Sequence, residues 1–479
     1  MTDPTGDAAA AHASSSTTPT PPTVADTGAI ATMGLDLQEG RVIPRKQVVS
    51  WALWDWATQP FNSVILTFVF TALYLTTDVF LAPEIAALPD GDPAKEAGLA
   101  ELSSGLGLAT TIAGLLIAVI APVLAQRADA SGRRKFWLLV YTGALILTMA
   151  SLYFVEGAPG FFVLGVTLIA VGTVFSELAG VNYNAMLVQV ATPKTVGRVS
   201  GLGWGLGYIG GIVALVIVVV AYASDWFGLP EENGLPFRLV ALGCAIWTTL
   251  FVIPFVLNVP ELPNPTATPR VNFFASYVVL FRDIVALFRR SRPTFWFLLA
   301  SAVYRDGLGA VFTFGAVIAS VSFGFQFLEV VAFGIAANLV AGISTIIAGR
   351  FDDIFGARAV ILTALVGLVV SGTAVFVLHD AGKLVFWIFG LALCIFVGPA
   401  QASSRSLLAR VTPAGQEGQV FGLYATTGRI ASPISSSLWT LFIVVFQATV
   451  FGILGIVLTL AAGLVLMLFV RLPKHVRLT

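Results

Sequence analysis

Charge is scarce in this chain. Of its 479 residues only 11% are Asp, Glu, Lys or Arg, whereas 57% are hydrophobic. A soluble domain carries about 25% charged residues, so a globule of this size could not cover its surface against water. The shortage of charge therefore predicts a polytopic membrane protein that is surrounded by a lipid bilayer.

A basic excess, histidine and cysteine are missing as well. The 26 Lys and Arg residues are balanced by 26 Asp and Glu, which argues against a nucleic-acid partner because such proteins carry a basic surface. Three histidines make a His-based metal site improbable. The two cysteines, Cys244 and Cys394, both lie in apolar runs and exclude a disulfide scaffold. We expect no metal and no cofactor.

Two stretches differ from the apolar remainder. Residues 1–45 begin with Ala, Ser, Thr and Pro and lack the basic start and apolar core of a secretory signal. Such a segment cannot bury enough surface to offset its ordering entropy, so we expect a disordered cytoplasmic tail. Residues 259–292 contain prolines followed by apolar residues at helical spacing. This pattern predicts a cytoplasmic central loop with an amphipathic helix in the membrane interface.

Apolar runs of the length that crosses a bilayer, about 20 residues, recur along the rest of the chain. They fall as six, a break and six, which predicts an all-α membrane protein with two six-helix halves, 46–258 and 293–472, and a cytoplasmic tail at 473–479. The expected spans are 48–78, 103–125, 136–155, 161–189, 199–222, 237–258, 294–320, 327–349, 359–378, 384–409, 419–447 and 449–471.

Lys and Arg residues fall in alternate connections between these spans. If the N-terminus is cytoplasmic, the outer side holds only Lys95, Arg238 and Lys383, and two arginines, Arg305 and Arg429, lie within spans. The positive-inside rule then places both termini in the cytoplasm of a multi-pass protein of the cytoplasmic membrane. A wrong number of spans would scramble this alternation after the error.

The two halves repeat each other. The pattern Asp129-x-x-Gly132-x-Arg134 after the second span returns as Asp353-x-x-Gly356-x-Arg358 after the eighth. Further matches keep the same order, namely Ser50, Asp55 and Phe61 with Ser301, Asp306 and Phe312, and Thr192-Pro193 with Thr412-Pro413. Such a duplication is typical of carriers in which one half rocks against the other around a central cavity.

The segment Ala128–Lys135 resembles the loop motif that the major facilitator superfamily carries between its second and third spans. An Asp there can cap a helix of the neighbouring half or pair with Arg, and the Gly permits a tight turn. The alternative is a basic loop that only sets topology. The residues expected to form the gating loops are Asp129, Gly132, Arg133, Arg134, Asp353, Gly356 and Arg358.

A narrower resemblance covers most of residues 48–471. The matching segments are Ser50–Ala57, Gly197–Tyr208, Tyr304–Gly307, Gly398–Gln401 and Phe421–Tyr424. They are similar to the "unknown major facilitator" family, which is related to the autophagy-linked vacuolar amino-acid effluxers of fungi. The resemblance implies the major facilitator fold and a secondary active transporter rather than an enzyme. Its substrate would be a small polar solute, with amino acids and efflux as the leading class and direction, and we expect a monomer.

Ionisable side chains within spans are the candidates for substrate binding or proton coupling, because charge in lipid is costly. Arg429 or Arg305 could hold the carboxylate of an amino acid, and Glu177, Asp55 or Asp306 its ammonium group. Glu177 and Asp55 are also the candidate proton carriers. Structural ion pairs between helices are the alternative. The candidate set is completed by Asn62, Asn184 and Trp54.

Proline and glycine mark the same spans. Pro60 and Pro433 each remove the backbone hydrogen bond to the residue four earlier, Trp56 and Arg429. A membrane tolerates such free carbonyls only beside protein or a wet cavity. The run Gly205–Gly210 fits G-x-G-x-x-G, but without a preceding strand it predicts close helix contact instead of a dinucleotide site.

Two rival functions stay open. The many aromatic residues, 36 Phe and 10 Trp among them, allow an exporter of amphipathic drugs or lipids, although the charges within spans favour a charged ligand. A polytopic enzyme or receptor without transport is the rival from another class. It would need clustered catalytic side chains or an output domain, and the sequence offers neither pattern.

Overall fold

The computed structural model describes residues 33–230, 232–261 and 292–470, together with single residues between 275 and 285. Among these residues the regular elements are helices, and one isolated antiparallel bridge joins Met33 to Pro413. Most of the predicted interfacial helix at 259–292 and the tail at 473–479 lie outside the described residues.

Twelve helical spans are long and apolar enough to cross a membrane in the part of the chain that the structure describes, as the sequence predicted. They are α1 (Arg45–Leu75), α2 (Pro93–Ser131), α3 (Arg134–Phe154), α4 (Pro159–Val190), α5 (Val196–Ala223), α6 (Glu232–Asn258), α7 (Arg292–Ser322), α8 (Ala332–Phe355), α9 (Ala357–Val377), α10 (Lys383–Val411), α11 (Glu417–Phe446) and α12 (Thr449–Phe469).

Helix α2 extends beyond the predicted span 103–125 at both ends. Its first turns are polar, so hydropathy did not mark them, but Asp92 caps them by accepting a backbone N–H at 2.8 Å. Gly132 ends the helix with a φ of 65°. Lys95, in the first turn, donates to Asp90 at 2.8 Å, and this hydrogen bond lowers the pKa of Asp90.

Helices α1 and α11 are interrupted by proline. Directly after Pro60, α1 becomes π-helical, and α11 breaks into two pieces at Pro433. The carbonyl of Trp56 accepts a hydrogen bond from Trp247 Nε1 at 3.3 Å, and that of Arg429 accepts one at 3.1 Å from the hydroxyl of the residue before the proline. Protein donors therefore satisfy both freed carbonyls, as a membrane requires.

The two six-helix halves meet closely at one end of the bundle. This "latch end" carries the connections after α2, α4, α8 and α10. There α5 packs along α8, and α2 packs along the first piece of α11. A Cβ added to Gly422 of α11 would lie 2.8 Å from the Cα of Pro122 in α2. Farther along, Thr426 Oγ1 donates to Ala118 O at 3.1 Å. The contact thus continues to about the middle of both helices.

Toward the opposite end, the "open end", the second piece of α11 packs mainly on α12 and α7 of its own half. Thr111 of α2 and Ser436 and Thr440 of α11 are exposed there. The second piece of α11 lines a cavity with Pro433, Ser436, Ser437, Thr440, Leu441 and Val444. Hydroxyl groups four residues apart on one helix face suit water better than lipid. The structure is therefore closed at the latch end and has a polar face toward the open end.

The prediction of a disordered tail over 1–45 is wrong for its last part. Asp36–Gln38 form a short 3-10 turn, and the Gly34 N–H donates to Thr412 O at 3.1 Å. Leu35 is only 2% exposed. One buried leucine in a polar stretch anchors the segment, and an interpretation based on average composition does not detect it. Residues 1–32 lie outside the described residues.

Candidate functional site

A first latch joins Asp129, at the end of α2, to the start of α11. Its carboxylate accepts the backbone N–H groups of Gly418 at 3.1 Å and Gln419 at 2.9 Å, so it caps a helix of the other half at its positive end. Arg134 contacts both halves, through Asp129 Oδ1 and Glu417 Oε2, each at 2.5 Å. The charged side chains are at most 6% exposed, and water screens such contacts little.

The sequence counterpart Asp353, near the end of α8, caps α5 in the same manner. It accepts the N–H of Gly197 at 2.7 Å and that of Arg198 at 3.1 Å, and Arg198 Nε donates to it at 2.8 Å. Arg358, the counterpart of Arg134, donates to Leu468 O at 3.0 Å. This hydrogen bond of Arg358 lies within the C-terminal half. The two latches are alike in their aspartate caps.

The two glycines of the repeated motif have positive φ angles, 65° at Gly132 and 86° at Gly356. A residue with a side chain would be strained there, so both glycines allow the turns that place the two aspartates. Arg133 is exposed, and its backbone N–H donates to Ser131 Oγ at 3.3 Å. Its side chain thus lies at the surface next to the first latch.

A third ionic contact at the latch end could not be predicted from the sequence pattern. Arg410 of α10 pairs with Asp352 at 3.0 Å, and their side chains are 4% and 1% exposed. Arg410 Nη1 also donates to Pro193 O at 3.0 Å, in the connection between α4 and α5. The pair therefore ties α8 and α10 to the N-terminal half.

Arg405 of α10 forms a buried gate one level deeper. Its side chain is 3% exposed and reaches into the N-terminal half, where it donates to Asn184 Oδ1 at 2.9 Å, Ser200 Oγ at 2.9 Å and Asp55 Oδ2 at 3.3 Å. Tyr183 donates its hydroxyl to the same oxygen of Asp55 at 2.9 Å. The predicted residues Asp55 and Asn184 are thus held together by an arginine of the other half.

Aromatic rings enclose the guanidinium of Arg405. The ring centroids of Trp51, Tyr183 and Trp204 lie 5.1, 5.5 and 5.6 Å from its Cζ, within the range of cation–π attraction. Gly203 provides the space, because a Cβ there would lie 2.9 Å from Arg405 Nη2. The distribution of Lys and Arg along the sequence places Arg405 in a cytoplasmic connection. Its position inside the predicted span 384–409 was the signal that could have identified it.

Trp54 packs inside the N-terminal half in this structure. Its side chain is 4% exposed, stacks on Tyr183 with ring centroids 4.3 Å apart and donates to Thr142 Oγ1 at 3.1 Å. Trp54 is thus packed in the core in this structure, and its role in substrate binding stays a prediction. Neighbouring residues on a helix point about 100° apart, so Trp54 faces the core while Asp55 faces the other half.

Glu177 of α4 and Arg429 of α11 meet near the middle of the bundle. Arg429 Nη2 lies 2.5 Å from Glu177 Oε1. The side chains are 33% and 36% exposed, for arginine and glutamate respectively, so this "central pair" borders open space. At 1.5 Å per residue, Arg429 is about 18 Å from the start of α11, which is roughly half the thickness of a bilayer with its headgroups.

Arg305 of α7 lies beside the central pair. Its guanidinium stacks over the ring of Tyr424 at 3.7 Å and donates to Tyr424 O at 2.8 Å. A Cβ added to Gly428, the residue before Arg429, would lie 3.1 Å from Arg305 Nη1. Among the described residues no carboxylate lies within ion-pair distance of Arg305. A cation of this kind can receive an anionic group from a ligand.

Asp306 has a different kind of partner from its sequence counterpart Asp55. Its Oδ2 accepts the N–H of Ser435 at 2.6 Å, so it caps the second piece of α11. Asn62 is half-buried in the π-helical part of α1. The structure thus brings Asp55 to Asn184 and Glu177 to Arg429, and it joins neither Asp306 nor Asn62 to these two groups by a described hydrogen bond.

Charged side chains of the two halves therefore meet in three layers, which are the latches, the Arg405 gate and the central pair. No group of three or more His, Cys, Asp or Glu side chains could hold a metal ion in the described ranges. These polar groups join the two halves of the bundle in the described structure. Twelve spans in two repeated halves with such contacts define a membrane transporter of the major facilitator type.

Comparison with known proteins agrees with this class. A family model described as "Vacuole effluxer Atg22 like" matches residues 98–477, and the chain belongs to that family. This membership identifies the chain as a transporter and not as the membrane enzyme that was considered as a rival.

The individual proteins that match this chain are identical to it at only a small part of the aligned positions. The uncharacterized MFS-type transporter YxiO of Bacillus subtilis (strain 168) is 27% identical over 433 residues, which cover 89% of this chain and 95% of that protein. Among solved structures, the proton:xylose symporter XylE aligns with a TM-score of 0.69 at 14% identity, over 89% of this chain and 95% of that one. FucP in its outward conformation aligns with a TM-score of 0.63 at 13% identity, over 89% and 99%. These two likenesses show the fold.

Proposed function

We propose that this transporter moves small zwitterionic solutes, with amino acids as the leading class, out of the cytoplasm by alternating access coupled to protons. The observation that carries the proposal is the central pair. Glu177 and Arg429 supply one acid and one base from opposite halves, 2.5 Å apart and about one-third exposed. A free amino acid presents the complementary ammonium and carboxylate groups.

The central pair and Arg305 could exchange their contacts for those of a zwitterion. The carboxylate would bind Arg429 or Arg305, and a guanidinium fork suits a bidentate contact with it. The ammonium group would bind Glu177. Because each charge then keeps an opposite partner, the exchange avoids leaving an unpaired ion in a region of low dielectric. An uncharged amphipathic solute offers no charged group that could replace the contacts of the central pair or bind Arg305.

Proton coupling is assigned to Glu177 and Asp55. Glu177 borders open space, so a proton arriving from the open end can reach its carboxylate and release Arg429. Asp55 is held by Arg405 and Tyr183, so its protonation would weaken the deeper gate. A proton and a substrate ammonium group compete for the same carboxylate, and this competition is the simplest basis for exchange.

The proposed direction of transport and the proposed location in the cytoplasmic membrane are supported by other observations. The description of the matching family names vacuole effluxers, which favours export. The concentration of Lys and Arg in alternate connections favours cytoplasmic termini. With that orientation the latch end faces the cytoplasm, and the closed latches correspond to a state that is open to the outside of the cytoplasmic membrane.

Counterflow in proteoliposomes tests the substrate class. Vesicles loaded with one unlabelled amino acid should accumulate its labelled form, and an imposed pH gradient should change the net flux. Amphipathic cations and neutral sugars serve as comparison solutes under the same conditions. Failure of every zwitterion, with uptake of an amphipathic cation instead, would refute the amino-acid proposal and favour the drug exporter.

Substitution of the central pair separates a binding role from a structural one. Arg429→Ala should abolish binding of the transported amino acid while the variant elutes and melts like the wild type, because both side chains already contact open space. Arg45→Ala is the matched control, since Arg45 is an exposed arginine at the start of α1. Loss of folding in Arg429→Ala alone would show that the pair is structural.

A further inference from the structure

The segment Met33–Gln38 reaches the C-terminal half although it precedes the first helix of the N-terminal half. We name it the "arm". Met33 forms a bridge with Pro413, and the Gly34 N–H donates to Thr412 O at 3.1 Å. Both partners belong to the connection between α10 and α11. The arm is therefore docked on one half and continues into α1 of the other half at Arg45.

The docking is specific to one face of the arm. Leu35 is 2% exposed and joins the main apolar core, whereas Leu37, two residues later, is 48% exposed. The turn that contains both leucines is closed locally, since the Gln38 N–H donates to Leu35 O at 2.9 Å. The arm thus presents one leucine to the protein and one to the surroundings.

The arm also touches the first latch. A Cβ added to Gly34 would lie 2.3 Å from Glu417 Oε1, so the backbone of the arm lies directly against this carboxylate. The other oxygen of Glu417 binds Arg134. Glu417 and Arg134 are 5% and 6% exposed on their side chains. By covering the carboxylate, the arm keeps water from the ion pair and so strengthens it.

We infer that the arm is a strap that stabilises the state closed at the latch end. The inference rests on the proposed alternation between two states, but not on the nature of the substrate. When the halves rock, Glu417 must leave Arg134, and the Thr412–Pro413 connection moves with α11. The arm, anchored to α1 by a few residues, then loses its docking place. Its docking energy is therefore available only to the latch-closed state and shifts the population toward it.

Distance measurements between spin labels on the two halves test the strap in the full-length protein. Lys194→Cys and Ile354→Cys provide exposed positions at the latch end, one in each half and away from the arm. The native Cys244 and Cys394 are buried and free and are replaced by alanine. Leu35→Asp should raise the ratio of latch-open to latch-closed molecules by about tenfold, the order expected for one buried leucine.

Leu37→Asp is the matched control, because it places the same charge in the same turn on an exposed residue. It should leave the distance distribution unchanged. Gly34→Val is a second route, because its side chain collides with Glu417 without adding charge, and it should shift the ratio in the same direction as Leu35→Asp. Wild-type distributions in both Leu35→Asp and Gly34→Val, each eluting as folded protein, would overturn the strap.

If the protein does not alternate between two states, the measured distances differ from those expected when only the strap is wrong. Asp129→Asn weakens the first latch directly and should reveal the longer latch-open distance whatever the arm does. If that variant and the wild type show a single distance with or without a pH gradient, the alternating-access proposal fails. If Asp129→Asn shows the second distance and the arm variants do not, only the strap fails.

Discussion

Arg405 is a buried arginine that joins the two halves. Its side chain crosses from one half into the other and makes its contacts almost without access to water, at 3% exposure. Asp55, its acidic partner, is 21% exposed on its side chain. Removing one member of such a pair leaves the other charge without compensation, which costs more than the pair itself contributes.

Arg405→Gln should therefore lower the free energy of unfolding by about 3 kcal/mol and abolish counterflow, because Asp55 loses its cationic partner. The double variant Asp55→Asn, Arg405→Gln removes both charges and should recover most of the stability but not transport. Thermal melting and counterflow of the single and double variants check this. Equal melting temperatures for the wild type and Arg405→Gln would contradict the buried gate.

The candidate site was predictable from the sequence only in part. Glu177 and Arg429 could be identified because charge within an apolar run is costly and rare. Their pairing could not, because it joins helices of different halves and depends on how the halves pack. Arg405 was missed because it lies near the end of a span, where an arginine usually marks a membrane boundary. The core packing of Trp54 depends on contacts with Tyr183 and Thr142, which the local sequence does not show.

The glycines of α5 determine how closely this helix approaches α8 of the other half. A Cβ at Gly201 would lie 2.7 Å from Thr345 O and 3.0 Å from the Cα of Gly349, both backbone atoms of α8. One at Gly205 would lie 2.9 Å from Gly342 O. Backbone cannot move aside as a flexible side chain can, so this face of α5 requires glycine. The predicted close helix contact in the Gly205–Gly210 run is confirmed.

Gly201→Ala should separate α5 from α8 and destabilise the latch-closed state by about 1–3 kcal/mol. Accessibility of thiols placed near the latch end should rise, while insertion into the membrane stays unchanged. Gly243→Ala in α6 is the matched control, since nothing lies within 4 Å of a Cβ at Gly243. Equal accessibility in the two variants would refute the tight α5–α8 contact.

The helices themselves were largely predictable, because each needs only its own apolar length to be recognised. All twelve spans were anticipated. The polar first turns of α2 and the docked arm were not, because their order comes from contacts rather than composition. Asp92 caps the former, and burial of Leu35 fixes the latter. Local sequence patterns report such tertiary support poorly.

In the whole molecule, two latches of similar design hold the same end closed. Asp129 caps α11 from the N-terminal half, and Asp353 caps α5 from the C-terminal half. Rocking of one half against the other must break both caps at once. Each is a carboxylate at a helix N-terminus, a contact that contributes about 1 kcal/mol. Because the two caps join different pairs of helices and share no hydrogen-bond partner among the described contacts, we expect their contributions to add.

Asp129→Asn and Asp353→Asn should each shift the protein toward the latch-open state, and the double variant should shift it by about the sum of the two free energies. Distances between labels at Lys194→Cys and Ile354→Cys measure the populations. Asp225→Asn is a control, since Asp225 precedes α6 at the open end. A shift in only one of the single variants would mean that one latch alone determines closure.

The aromatic enclosure of Arg405 has a spectroscopic consequence. Indole emission is sensitive to a nearby positive charge, and the rings of Trp51 and Trp204 lie 5.1 and 5.6 Å from the guanidinium. When Arg405 withdraws, both indoles lose that charge together. These two of the ten tryptophans therefore lie where a movement of Arg405 would change their emission, and such a change would report the movement without an added label.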